Sequence, residues 1–145
     1  MSIFKTREWW STLCGDGEEF DHGCLAVGNV DNAADGSIKI VTGSLSGTIR
    51  VYAPKTKEYG VDDLVLELEL KLPILQIEIG KFVPLGGRTA VALLHPRKLA
   101  VYTLDNNGTT DVYHQFRLEY EHRLEHTGAT NNLLSNQILC STSTG

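Results

Sequence analysis

Cysteine, long apolar runs and positive charge are all scarce in this chain of 145 residues. Cys14, Cys24 and Cys140 are odd in number and share no Cys-x-x-Cys spacing, which favours reduced thiols in the cytosol over a disulfide framework. The longest apolar runs, such as 90–94, fall far short of the ~20 residues that span a bilayer. Thirteen Lys and Arg against eighteen Asp and Glu leave a net charge of −5, which argues against a nucleic-acid partner held by phosphate neutralisation. The opening stretch from Met1 to Trp10 is charged where an export signal needs an apolar segment, so a cytosolic location is expected. Outside a secretory context, Asn107-Gly108-Thr109 reads as a turn rather than as a glycosylation acceptor.

What remains is ordinary for one domain: 41% hydrophobic and 21% charged residues, with length enough to bury a real core. Ile3, Trp9, Trp10 and Leu13 fall on one stripe at helical spacing, so a short helical anchor is predicted over about residues 1–15, capped by Ser2 and stopped near Gly15. Too short to persist alone, it would need docking, with the two tryptophans as anchors. Beyond Cys24 the pattern is of strands. Residues 25–30, 38–42, 48–53, 64–70, 74–79, 89–94 and 98–104 and a last run to Tyr120 are bounded by Gly, Asn, Asp or Ser or alternate with period two.

Those strands repeat. Val51-Tyr52 and Val101-Tyr102 lie fifty positions apart, as do Leu25 and Leu75, Val41 and Val91, and Leu68-Glu69 and Leu118-Glu119. In each unit the second strand is apolar on both faces and the fourth alternates, as inner and outer strands of a radial sheet should. Four antiparallel strands at this period are the signature of a β-propeller blade. The fold expected is therefore all-β, with blades over about 24–71 and 74–121 and a helical segment before them. A six- to eight-stranded sandwich is the alternative. Residues 127–145 would be the start of a third blade or an unfolded end. Propellers close with ~4–8 blades, so the chain is expected to be part of something longer.

No motif carries catalysis. Asp31-Asn32-Ala33-Ala34-Asp35-Gly36 resembles the start of a calcium loop, but Ala33 and Lys39 stand where oxygen ligands belong, which leaves Asp31 and Asp35 as a poor metal pair in an Asx-rich turn. His122, Glu125 and His126 match the spacing of an inverted zinc-protease motif, yet they follow an alternating strand with no acidic residue beyond them. His95-Pro96-Arg97-Lys98 reads as a wet basic turn, and Asp62-Asp63 and Glu18-Glu19 as solvated charge. No enzyme, cofactor or resident metal is expected.

The opening Ser2-Ile-Phe-Lys-Thr-Arg-Glu-Trp-Trp-Ser-Thr, followed by Glu18-Glu-Phe-Asp-His-Gly-Cys-Leu and Gly28-Asn-Val-Asp-Asn, closely resembles the start of the parathyroid hormone-responsive B1 (Bardet–Biedl syndrome 9) family. The similarity runs on through Lys39-Ile40-Val41, Pro73 to Phe82 and Val101-Tyr102 to about residue 126. The resemblance implies a seven-bladed N-terminal propeller in a subunit of the BBSome, a coat-like complex that moves membrane proteins in and out of cilia. It further implies other BBSome subunits as partners, membrane-protein cargo met indirectly, and a place in the cytoplasm, at the basal body and peripherally at the ciliary membrane. On this reading the chain is a non-enzymatic scaffold or adaptor piece, with Trp9 and Trp10 as its candidate contact residues. The alternative is a calcium-dependent propeller fragment bound through Asp31 and Asp35.

Overall fold

The computed structural model describes residues 3–82, 86–106 and 114–124. Two four-stranded antiparallel sheets account for nearly all of its regular structure. The first comprises β1 (Leu25–Gly28), β2 (Lys39–Gly43), β3 (Thr48–Tyr52) and β4 (Leu64–Glu69); the second comprises β5 (Gln76–Gly80), β6 (Ala90–His95), β7 (Lys98–Asn106) and β8 (His114–Arg123). In both, neighbours in the chain are neighbours in the sheet. Tight turns make this possible: Gly47 joins β2 to β3 with a φ of 97°, and Arg97 joins β6 to β7 with a φ of 64° just after Pro96. A proline followed by a left-handed residue is the arrangement of a type II turn.

The helical anchor expected at the N-terminus is not formed: residues 4–15 carry no helix, and the one helical turn among the described residues is the 3₁₀ segment Val61–Asp63. A lone helix of that length is marginal in water, and the packing works against it. Trp10 is drawn into the first sheet while its neighbour Trp9 stays 61% exposed, as do Ile3 at 91% and Leu13 at 98%. The supposed stripe is split between protein and solvent.

The sheets lie face to face over one core, in which Val41, Ile49 and Val51 of the first meet Ile77, Val91, Leu93 and Ala100 of the second. They come closest where β1 and β2 pass β5. Two glycines permit that approach: a methyl group on Gly43 would lie 2.7 Å from Ile74 Cγ2, and one on Gly28 would lie 3.1 Å from Ile79 Cγ2. The Sγ of buried Cys24 donates to the Ile74 carbonyl at 2.9 Å, and Ile74 N–H donates to Ser44 O at 3.1 Å.

Strand pairing refines the repeat. A bulge falls between Val51 and Tyr52 in the first sheet and between Val101 and Tyr102 in the second, so the third strands do correspond at fifty residues. Outward from there the register matches Ile40 with Val91, Leu25 with Ile77, Val27 with Ile79, and Leu64 with Leu118. Relative to the third strand, the first is therefore displaced by two more positions, the second by one and the fourth by four, so the Leu25 to Leu75, Val41 to Val91 and Leu68 to Leu118 matches belong to the sequence alone. The bulge also breaks the simple alternation: Leu64 pairs with Tyr52 but Leu66 with Val51, which places them on opposite faces.

Candidate interaction surface

The segment before β1 lies along the face of the first sheet that points away from the second. Trp10 is its peg. Its ring stands 5.6 Å from that of Tyr52 and 5.9 Å from that of Tyr59, and the two tyrosine rings are 6.5 Å apart. Tilted and edge-to-face contacts of this kind stabilise beyond the area they cover. The indole N–H donates to Asp63 Oδ2 at 3.0 Å. Asp63 also accepts from the backbone N–H of Gly60 at 3.0 Å and of Lys55 at 3.3 Å. One carboxylate thus closes the β3–β4 loop and holds the arm. The Gly60 amide and then the Trp10 indole keep its pKa below the ordinary Asp value. Burial raises the Tyr52 hydroxyl pKa, and its O–H donates to Cys14 Sγ at 3.5 Å.

Further along, Glu18 holds Arg50 through contacts of 2.6 and 3.2 Å, and Arg50 Nε donates to Glu67 at 2.7 Å. The guanidinium hydrogen bonds keep the Glu18 pKa low, and Arg50 is more firmly protonated than usual for the same reason. Leu45 N–H donates to Glu19 O at 2.8 Å.

Glu18 and Asp63, read from the sequence as solvated charge, are therefore structural. The hint was present in Arg50, a cation in the middle of an otherwise apolar strand, which needs an acid brought to it. Trp9 and Trp10 part company: Trp10 is spent on docking and Trp9 projects outward. The same segment also exposes Ile3 and Leu13 together with Lys5 and Arg7. Leu25 at 64% and Val27 at 54% exposure continue apolar surface along β1 on the same side of the sheet.

The loop that carries Asp31 and Asp35 does not bring the two carboxylates to one centre. Asp31 is buried against Lys39 Nζ at 2.7 Å, and Lys39 also donates to Ser37 Oγ at 2.6 Å. Asp35 is exposed and accepts from Ser37 N–H at 2.9 Å. Among the described residues no three His, Cys, Asp or Glu side chains are grouped to hold a metal. His122 is exposed on β8, while Glu125, His126, Asn107, Cys140 and the stretch 127–145 lie outside the described residues. His95 is not in a wet turn but buried, its Nδ1 2.9 Å from Pro73 O; burial holds its pKa below the usual histidine value. No described helix is long and apolar enough to cross a membrane.

The arm and both sheets fall inside one family match, which covers residues 1–135 and is described as PTHB1 N-terminal. The chain belongs to this family. It is 46% identical over 136 residues to human Protein PTHB1, covering 88% of this chain and 15% of the human protein. The mouse Protein PTHB1 is 45% identical over 135 residues, and the Xenopus laevis one 45% identical over 138. The chain therefore spans about 15–16% of the length of these PTHB1 relatives. Within the PTHB1 match, the docked Trp10 and the projecting Trp9 both belong to the shared region.

Proposed function

We propose that the chain is a non-enzymatic scaffold piece of the BBSome, whose two sheets are consecutive blades of the seven-bladed PTHB1 propeller and whose outer surface takes part in assembling a ciliary trafficking complex. The observation that carries this is the family match across nearly the whole chain. The architecture supports it in three ways: two sheets, each strung in chain order; a bulge recurring fifty residues on; and face-to-face packing tightest along the first strands. Partners are other subunits, reached through exposed aromatic and aliphatic side chains rather than through a cofactor. Trp9 is the leading contact residue, because large exposed aromatics dominate interface energetics and Trp10 is already engaged.

The test is a chimera of human PTHB1 whose matching N-terminal region is replaced by residues 1–135 of this chain, expressed in ciliated cells. Recovery of BBSome subunits with the tagged chimera is expected, reduced by Trp9→Ala without loss of chimera abundance. A well-expressed chimera that recovers no subunits would refute the scaffold reading. Undiminished recovery with Trp9→Ala would remove that residue from the contact.

A further inference from the structure

We propose that the open edge of β4 accepts an extended peptide in which apolar and basic residues alternate, added as a further strand of the first sheet. The inference rests on strand geometry and charge within the chain, and stands apart from the scaffold reading.

The edge is the first observation. β4 is the last strand of its sheet, and among the described residues only β3 pairs with the backbone of 65–69. The N–H and C=O groups on its other side face outward, and such a row is a template onto which an extended segment adds. Side chains leave it open as well: Glu67, Leu68 and Glu69 are all exposed, Leu68 by 38%.

The two rows of side chains on β4 then define what fits. Leu66 and Leu68 lie opposite Val51 and Ile49, so they point toward the second sheet. The sheets are closest where β1 and β2 pass β5 and stand open at the rim formed by β4 and β8. Leu118 is paired with Tyr102 on the face turned toward the first sheet, yet it is 46% exposed. Apolar side chains of an added strand enter this opening beside Leu66 and Leu68.

Glu67 and Glu69 form the other row, opposite Arg50 and Thr48. Arg50 Nε donates to Glu67 Oε2 at 2.7 Å, but the Glu67 side chain remains 52% exposed. Glu69 is exposed and has no ion-pair or hydrogen-bond partner among the described residues. Successive side chains of an extended chain point to opposite faces. A partner that sets aliphatic residues beside the leucines therefore sets its alternate residues beside two carboxylates, where Lys or Arg is favoured. The net charge of −5 draws a partner of the same sign. The edge strand of the second sheet makes no such offer. On β8, Glu119 is held by Thr103 and Arg117, and Glu121 by Lys98.

Binding of a short fluorescein-labelled peptide alternating valine and lysine to the full 145-residue chain, followed by anisotropy, tests this. Saturable binding with a Kd below about 1 mM is expected, with slowed amide hydrogen exchange confined to residues 65–70. A peptide of the same composition, with its valines and lysines in separate blocks, should bind about fivefold more weakly or worse. Glu69→Lys should weaken the valine–lysine peptide by a similar factor and strengthen a valine–glutamate one. Near-UV circular dichroism of the Trp10–Tyr52 cluster reports folding, and Glu69→Gln replaces Glu69→Lys should the latter fail to fold, with a smaller loss expected. Absence of binding overturns the proposal, as do equal binding of the block peptide and an affinity indifferent to Glu69. Exchange protection on β8 or the N-terminal arm instead of β4 overturns it too, and so does self-association through β4 that the peptide does not displace.

Discussion

Asn32 and Thr89 grip each other across the two sheets: the Asn32 amide donates to Thr89 O at 3.0 Å, and Thr89 N–H donates to Asn32 Oδ1 at 2.7 Å. The side chain stands in for a strand edge, pairing with one residue's backbone through both of its polar atoms. Asn32 sits at a φ of 54°, a left-handed conformation that asparagine tolerates better than most residues. Replacing it by Ala removes both bonds and adds backbone strain, with an expected cost of about 2–3 kcal/mol. Asn32→Asp keeps the acceptor and loses the donor, and should cost less. Urea unfolding midpoints of the two variants check the order.

Trp10 carries two separable contributions. Trp10→Phe keeps most of the aromatic packing but deprives Asp63 of a donor, with an expected loss of about 1–2 kcal/mol. Trp10→Ala also empties the cluster with Tyr52 and Tyr59, and about 3–5 kcal/mol is expected. Limited proteolysis should then cut before β1 in the Ala variant well before the core is lost. Trp9→Ala should leave stability unchanged within about 0.5 kcal/mol.

The Lys39–Asp31 pair is buried on both sides, with side-chain exposures of 6% and 3%. Lys39→Met leaves a carboxylate in the interior without its partner, and destabilisation of about 3–5 kcal/mol is expected. The double change Lys39→Met with Asp31→Leu should recover much of it, because the desolvation of both charges disappears together. A double-mutant cycle from thermal or urea unfolding measures the difference.

Acid should weaken the fold in two stages. The folded His95 binds its proton less readily than the unfolded one, because burial disfavours the imidazolium. Its contribution is therefore complete above the unfolded value of about 6.5 and is lost as pH falls from there toward the lower folded value. Glu18 and Asp63 have depressed values from Arg50 and from Gly60 with Trp10 respectively. Their contribution holds above the ordinary carboxylate values of about 4 and is lost as pH falls through the lower folded values. Urea midpoints measured from pH 7.5 to 3 should show both branches. His95→Gln should remove the upper branch and keep the lower, though at reduced overall stability.

Alternation and turn chemistry made the eight strands of the described residues legible, because a strand's two-residue period and its Gly, Asn and Asp boundaries are local properties. The repeat was legible too, since Val51-Tyr52 and Val101-Tyr102 mark the same bulged position of two third strands. The bulge itself was not. A period of two assigns Leu64 and Leu66 to one face, and only the pairing with Tyr52 and Val51 separates them. The N-terminal segment misled for a related reason: an apolar stripe reports that side chains need cover, not what shape covers them. Asp63 was hidden because its three donors come from Gly60, Lys55 and the distant Trp10.

Residue order was thus enough to specify the strands, their sequence along each sheet and the apolar surfaces to be hidden, since each depends on neighbours a few positions away. Which tryptophan is anchored and which is offered, and which sheet faces are covered and which left open, came from contacts between residues tens of positions apart. Those contacts exist only after the chain has closed on itself. Leu25 and Ile77 are alike as side chains, and their opposite exposures of 64% and 3% follow from a single circumstance: a sheet lies over one and not over the other.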